Sequence, residues 1–514
     1  MSFTLDDRVG DAPVTTGHDA ERDTPKGRSA WSLVVGGTAA CLGVALAAGT
    51  HVGLVLIVLP VVVLITWQTP RTMLGMLPIW MVMLGLVRRL TPGGGNVTFS
   101  GDPVLIIGPV VIILLFLTAV GRGAFENRTR LSTVVGAFCA LALVEALNPG
   151  ERLLSGLGGL LFILVPMLAF WIGRALLDEE LALQIVKTVA ALSLFAAIYG
   201  LFQQFHGLPS WDRAWISTKG YQALSLGSGV IRAFGTFSSA EEYAAFLSIG
   251  VIAWLALAGK KTRMFPPLHL AGTVTVGVAL WFESERTAIF LVVLAMGVML
   301  ASRLRLRPYG VLAGGVGAVL LLIFLGSHFG SSGGGSASNV LSTHQFKGIS
   351  HPFGQVSSLP GHIKATRIGI LQGFRHPLGH GTGAATLAAN RYGHSRTVGT
   401  EFDPGNMGIA FGIFGLAVYV AFCWNAIQTV YRAAVIRRDA IGLFALGVLM
   451  ATLFQWTNGD LYSVCWLIWL FVGYVDAYLG RMSREQQREL SAVEVPTGPE
   501  WRRPGEARGT RTLA

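Results

Sequence analysis

Apolar runs of about twenty residues recur from one end of this chain to the other, and nothing else constrains its fold as strongly. A run of that length spans about 30 Å of hydrocarbon as a helix, and in lipid a helix satisfies its own peptide groups. Composition agrees, because 52% of the 514 residues are hydrophobic and 13% are charged, roughly half the charge of an average soluble chain. The expected class is an all-α polytopic membrane protein. Spans are predicted to start near Trp31, Val52, Thr72, Pro103, Leu131, Gly156, Leu183, Ala240, Leu268, Thr287, Gly310, Gly405, Ala440 and Leu461, which makes about fourteen. Pro78 is expected to break the Thr72 helix, and Thr457 to Asp460 barely separates the last pair. Cys41, Cys139, Cys423 and Cys465 fall inside predicted spans, where they act as small apolar residues, so neither a disulfide nor a metal site is expected.

Lys and Arg set the orientation, since short loops rich in them stay cytoplasmic. With the N-terminus inside, Arg71, Arg122, Arg128, Arg130, Arg174, Lys260, Lys261, Arg263, Arg303, Arg305, Arg307, Arg432, Arg437 and Arg438 all share one side. The short loops opposite hold Arg88, Arg89, Arg152 and Arg286. Both tails come out cytoplasmic, in a plasma (inner) membrane. The formal charge of +11 reflects this topology and not nucleic-acid binding. The predicted domains are a disordered tail over 1–30, eleven helices over 31–326, a large extracytoplasmic loop over 327–404, three helices over 405–480 and a disordered basic tail over 481–514.

That loop is the long polar stretch between apolar runs, and seven of the eleven histidines fall in it: His328, His344, His351, His362, His376, His380 and His394. Most are expected to be merely solvated. Ile368, Leu371 and Phe374 approximate one helix face, after which HPLGHGTG forces a turn, with Arg367 and Arg375 well placed for an anion. The glycines of GHGTGAAT lack GK[ST] and a preceding strand, so a nucleotide loop is rejected. Glu401 and Asp403 are the carboxylates within reach of the loop, and their ordinary role is to precede a helix.

Two other outer segments carry charge. In IRAFGTFSSAEEYAAFL, Ser238 and Ser239 suit an N-cap and Glu241 and Glu242 suit the first helical turn, whereas Arg232 has no such explanation. In FESERTAIFL, Arg286 enters a span with Glu283 and Glu285 as close partners, which reads as either a local ion pair or an anion site.

In order, these pieces resemble the O-antigen ligase and polymerase superfamily, polytopic glycosyltransferases acting on undecaprenyl-diphosphate-linked glycans. The resemblance rests on RxxGTF (Arg232 to Phe237), an SRT-like turn with Glu285 inserted (Ser284 to Thr287), Arg367 followed by PLGHG (Pro377 to Gly381), and GIxG (Gly412 to Gly415). It covers roughly Gln184 to Tyr474 and implies a cofactor- and metal-independent enzyme of cell-envelope or exopolysaccharide synthesis. Arg232, Arg286, Arg367 and Arg375 would bind the donor diphosphate, and Glu401, His394 or Asp403 would activate a glycan or lipid acceptor. Ligases keep a His-Asn pair about eleven residues before GIxG, where Glu401 stands here, which leans toward a polymerase or another glycan transferase of the same fold. Implied partners are the lipid-linked donor, the acceptor, the bilayer and other polysaccharide-assembly proteins. The competing readings are a lipid-linked oligosaccharide flippase or polysaccharide transporter, and a non-enzymatic envelope assembly protein. Against transport, charge deep within the spans is scarce, Glu145 being the clearest case.

Overall fold

The computed structural model describes residues 51–91, 102–217, 231–258, 267–304, 359–385, 402–457 and 461–493, together with 345, 349 and 400. Among the described residues there are fourteen α-helices and no sheet. They are α1 (His51–Gln68), α2 (Pro70–Leu90), α3 (Ile107–Gly121, entered through a 3-10 turn, Pro103–Ile106), α4 (Arg130–Glu145), α5 (Leu153–Leu176), α6 (Glu179–His206), α7 (Ser210–Ser217), α8 (Ala240–Ala258), α9 (Pro267–Glu283), α10 (Arg286–Arg303), α11 (Leu359–Arg375), α12 (Asp403–Arg437), α13 (Ala440–Ala451) and α14 (Tyr462–Val493). Eight of them, namely α2, α3 with its 3-10 turn, α5, α6, α8, α10, α12 and α14, are long and apolar enough to cross a membrane. The chain is a multi-pass membrane protein.

Twelve predicted starts fall on described residues, and a helix begins within four residues of each; those near Trp31 and Gly310 lie outside the described residues. Four details differ. Helix α2 runs unbroken through Pro78, which is buried among its neighbours. Helix α13 has twelve residues, about 18 Å at 1.5 Å per residue, and gives way to turns instead of spanning. Glu145 is the last residue of α4, where its carboxylate accepts a hydrogen bond from Asn148 at 2.8 Å, so it is not deep within a span. The fourth is α7, which was not expected at all.

Ion pairs define the two ends of the bundle. At one end Arg71 meets Asp178 (2.7 Å) and Glu180 (2.9 Å), Arg174 meets Asp476, and Arg437 meets Asp439 and Glu179. Helices α6, α2 and α5 run from or to this end, so the far ends of α2 and α6 and the first turn of α5 lie at the opposite one. Between the ends, α5 and α14 touch backbone to backbone: a Cβ on Gly173 would land on the Leu470 carbonyl, and one on Gly473 on the Phe170 carbonyl. Beside them Phe138, Phe422, Trp456 and Trp469 stack into the core.

Helix α12 contains the sharpest feature of the fold. Gly412 has φ 64° and ψ −162°, far from helical values. Tyr419 Oη donates to Asp403 Oδ2 at 2.9 Å, although sixteen residues of straight helix would separate their Cα atoms by about 24 Å. The chain therefore folds back at Gly412, leaving a short arm (403–411) against a long span (413–437). The arm packs on α11 through glycines on both sides. A Cβ on Gly369 would sit 2.6 Å from the Gly405 carbonyl oxygen, and one on Gly373 would sit 3.0 Å from the Gly408 Cα.

At Gly412 a side chain would need a left-handed conformation and would also strike the Pro377 carbonyl. Gly412→Ala should cost about 3 kcal/mol or more. Gly277→Ala, in open space on α9, should be neutral or stabilise by up to about 1 kcal/mol. Thermal unfolding of the two purified variants checks both.

Candidate functional site

The Arg232–Phe237 segment lies where the ends of α2, α6 and α9 meet the starts of α3, α8 and α10. Gly85 on α2 makes room for it, since a Cβ there would approach the Thr236 carbonyl oxygen to 2.6 Å. One turn further along α2, Arg89 donates to the carbonyls of Phe237 and Gly235, both at 2.6 Å, and pairs with Asp212 at 3.0 Å. Gln203 completes the cradle. Its Oε1 accepts from the Gly235 and Phe234 N–H groups (2.8 and 3.2 Å), and its Nε2 donates to Asp212 Oδ2 (2.7 Å), as does the Tyr199 hydroxyl.

Arg88 makes a parallel set of bonds. It pairs with Asp102, donates to Ser238 Oγ at 2.9 Å and lies 4.7 Å above the Trp215 ring. Asp102 also accepts from His51 Nδ1 (2.8 Å) and from the Val104 N–H (3.0 Å). Burial alone would raise its pKa, but His51 and Arg88 outweigh that and hold its carboxyl below the usual range. Ser239 caps α8, accepting from the Glu242 N–H at 3.2 Å, as the sequence predicts. The Glu242 carboxylate instead reaches the start of α14, where it accepts from Ser463 N and Oγ (3.1 and 2.9 Å).

Arg232 is 6% exposed and meets the α9–α10 turn. Its Nε donates to the Glu283 carbonyl at 2.9 Å, and its Nη2 bonds Glu283 Oε1 and Glu285 Oε2, the latter at 2.8 Å. The turn is preset by Ser284 at φ 78° and by the Glu285 N–H donating to Glu283 Oε2 (2.9 Å). Burial pulls the Arg232 pKa down, yet the two carboxylates push it above its ordinary value. Arg286 stands beside them in the field of Glu285 and Arg232. Both acids also hydrogen-bond Arg232, from 51 and 53 residues away, a partner the sequence reading did not give them. Nη1 is the Arg232 guanidinium nitrogen left without a hydrogen bond among the described residues.

The HPLGHGTG turn docks in the reversal of α12. The N–H groups of His380 and Gly381 donate to the carbonyls of Ile409 and Ala410, both at 3.0 Å. Thr382 Oγ1 then donates to the Gly156 carbonyl in the first turn of α5 (2.7 Å), and the Gly383 N–H to Glu151 Oε2 (3.2 Å). Burial raises the Glu151 pKa, opposed by Ser155 and the Gly383 N–H and reinforced by Glu145. His380 shifts downward, through burial and then through His376, whose ring lies 4.4 Å away. This turn places His376 beside His380 and bonds Gly383 to Glu151, and Glu151 escaped the sequence reading.

Arg367 and Arg375 are exposed on α11, whose glycine side packs on the arm of α12, and no hydrogen bond among the described residues links them to the Arg232 cluster. Asp403 is wholly buried. Its Oδ2 accepts from Tyr419, Trp456 N (2.7 Å) and Thr457 N (3.0 Å), and its own N–H donates to the Phe454 carbonyl (2.7 Å). A carboxylate so enclosed holds the arm to the turn after α13 through Oδ2, while its Oδ1 makes no hydrogen bond among the described residues. Glu401 and His394 lie outside the described residues, as do His328, His344 and His351.

Comparison with protein-family models finds no match, and comparison with curated proteins finds none either.

Removing one partner of a buried pair strands the other charge, at about 3–5 kcal/mol. Arg232→Met should destabilise by that much, and Arg232→Met with Glu283→Gln should recover part of the loss in denaturant titrations. Glu151 supplies a pH test. Its raised pKa means that docking is strongest while it is protonated and weakens as pH rises through that pKa. Glu151→Gln, which keeps an acceptor for Gly383, should raise the melting temperature at pH 8 and leave it unchanged at pH 4.

Proposed function

We propose that this chain is a membrane glycosyltransferase that transfers or polymerises a glycan carried on a polyprenyl diphosphate, at the outer face of the plasma membrane. One observation carries the reading. Four short motifs scattered along the sequence meet as two packed pairs at one end of the bundle. RxxGTF joins the SERT turn through Arg232, Glu283 and Glu285. PLGHG joins GIFG through the hydrogen bonds from His380 and Gly381 to the reversal before Gly412.

The chemistry fits such a place. Diphosphate is a good leaving group whose growing charge a guanidinium can take in bidentate fashion, and beside lipid each such contact counts for more than in water. The reaction then needs no nucleotide and no metal. Arg232 Nη1 and Arg286 would receive the diphosphate, while Arg232 stays anchored through Nε and Nη2. A base within reach of the acceptor hydroxyl completes the mechanism. Glu401, His394 and Asp403 stay in that role, and Glu151 with His380 joins them because the docked turn holds both groups at the same end of the bundle.

The test is lipid-linked glycan in cells whose chromosomal copy is replaced by variants. Loss of a transferase leaves donor accumulated in the outer leaflet, whereas loss of a flippase leaves it inside. Arg232→Lys keeps a cation for Glu283 but removes the fork, so polymer should fall at least about tenfold with membrane insertion unchanged. Full polymer from Arg232→Lys would reduce the residue to an ion-pair partner. A cysteine placed at Ser336 should label from outside intact cells; labelling only after permeabilisation would put the loop in the cytoplasm and end the proposal.

A further inference from the structure

Helix α11 is built unlike a water-facing loop helix. One side carries Gly369 and Gly373, buried against the arm of α12. The other exposes Ile363 (48%), Ile368 (49%), Leu371 (44%) and Phe374 (61%), and Leu378 just beyond it is 69% exposed. Lys364, Arg367 and Arg375 stand among them, and the helix contains no acid. Exposed apolar side chains at this density are tolerated where lipid covers them, and basic residues on the same surface are the mark of a helix lying at a membrane interface.

Between α11 and the chain facing it runs a groove of about 480 Å³, within the range of ligand sites. Ile363, Ile370, Leu371, Phe402, Pro404 and Phe454 give it an apolar lining, with Thr366 and the stem of the exposed Arg367 beside them. Phe454 holds φ 64°, a left-handed conformation that a bulky residue adopts only when its surroundings enforce it. The enforcement is visible: its carbonyl accepts the Asp403 N–H, and Asp403 Oδ2 grips the next turn through Trp456 and Thr457. The groove wall is therefore a fixed part of the fold.

We propose that this groove binds a phospholipid of the surrounding bilayer, one acyl chain lying along Ile370 and Phe454 and the phosphate held by the Arg367 guanidinium. An apolar slot with a cationic edge and no acid on its helix matches an amphiphile with an anionic head. Arginine can keep its stem on the apolar surface while its charge reaches the headgroup. Among phosphate-headed lipids the bilayer's own phospholipid is by far the most concentrated, and occupancy follows concentration. The inference is independent of the glycosyltransferase reading. It makes Arg367 a lipid anchor and leaves diphosphate binding to the Arg232 cluster.

The experiment uses the full chain in nanodiscs doped with phosphatidylglycerol bearing a diazirine on one acyl chain, with cross-linked peptides mapped by mass spectrometry. Cross-links should concentrate on 363–371 and 402–404. Arg367→Gln should cut them about fivefold or more, Arg367→Lys should keep them within about twofold, and Ile370→Trp, which fills the slot, should abolish them there. Cross-linking on the apolar surface of α5 around Leu157 and Leu161 serves as the control for bulk lipid and should not respond to any of the three. The proposal is overturned if the α11 cross-links behave like that control, if a phosphatidylcholine probe labels α11 equally and ignores Arg367, or if the same residues cross-link to a second copy of the chain. It is also overturned if undecaprenyl diphosphate at equimolar protein displaces the probe, since the groove would then be the donor's.

Discussion

In hydrocarbon a peptide group without a hydrogen-bond partner is among the most expensive things a chain can contain, and the reversal of α12 creates such groups by necessity. When the helix stops at Gly412, the carbonyls of Ile409 and Ala410 lose their partners four residues on. The N–H groups of His380 and Gly381 replace them at 3.0 Å each. The HPLGHGTG turn is therefore the completion of a helix end and not an ornament on it. Because the bonds are backbone to backbone, they require close approach, which explains why Gly379 and Gly412 face each other's neighbouring carbonyls with no Cβ between. From this junction the turn extends to α5 through Thr382 and Glu151, so one reversal ties α5, α11 and α12 together.

The second pair of motifs obeys the same physics with charges. Arg88, Arg89 and Arg232 are each at most 6% exposed, and each has its own carboxylate: Asp102, Asp212 and Glu283. Burying a charge is tolerable when it is paired and its remaining donors are used, and here they are used largely on backbone carbonyls and hydroxyls of the 232–238 segment. The segment has no regular structure to satisfy its own peptide groups, so Arg89 and Gln203 do that for it. Arg88 and Arg89 read in the sequence as stray charges in a short loop, and they turn out to frame the segment that carries Arg232.

What was legible in the chain follows from range. Hydropathy is a local property, and the helix starts were readable from it to within a turn or so. The reversal at Gly412 was not, because GIAFGIFG is apolar on both sides of the turn and reads as one span. The short α13 was hidden in the same way by the apolar ATLFQW that follows it. Side-chain partners were the least accessible. Asp102, Asp212 and Glu151 lie apart in sequence from the groups they bind, and the local pairing of Glu283 and Glu285 with nearby Arg286 gave no hint that both also hold Arg232. A signal was present in one case: an acid such as Asp212 between two apolar stretches at a span end needs a cation, and an arginine doublet was waiting at the end of another span.

The two carboxylates on Arg232 are not equivalent, and the difference bears on how a buried, paired arginine could still receive an anion. Glu283 has a side chain with no exposure, and it also accepts the Glu285 N–H, so it shapes the turn as well as the guanidinium. The Glu285 side chain is 26% exposed and holds Arg232 through one oxygen. A contact open to solvent on one side is screened and contributes little, whereas the enclosed one fixes the geometry. Both carboxylates hold Nη2, so under the proposed function a diphosphate at Nη1 would leave the Glu283 contact in place, and the more open Glu285 would be the partner to yield. Under the proposed function the arginine would thus be preorganised by the partner it keeps and made available by the partner it releases.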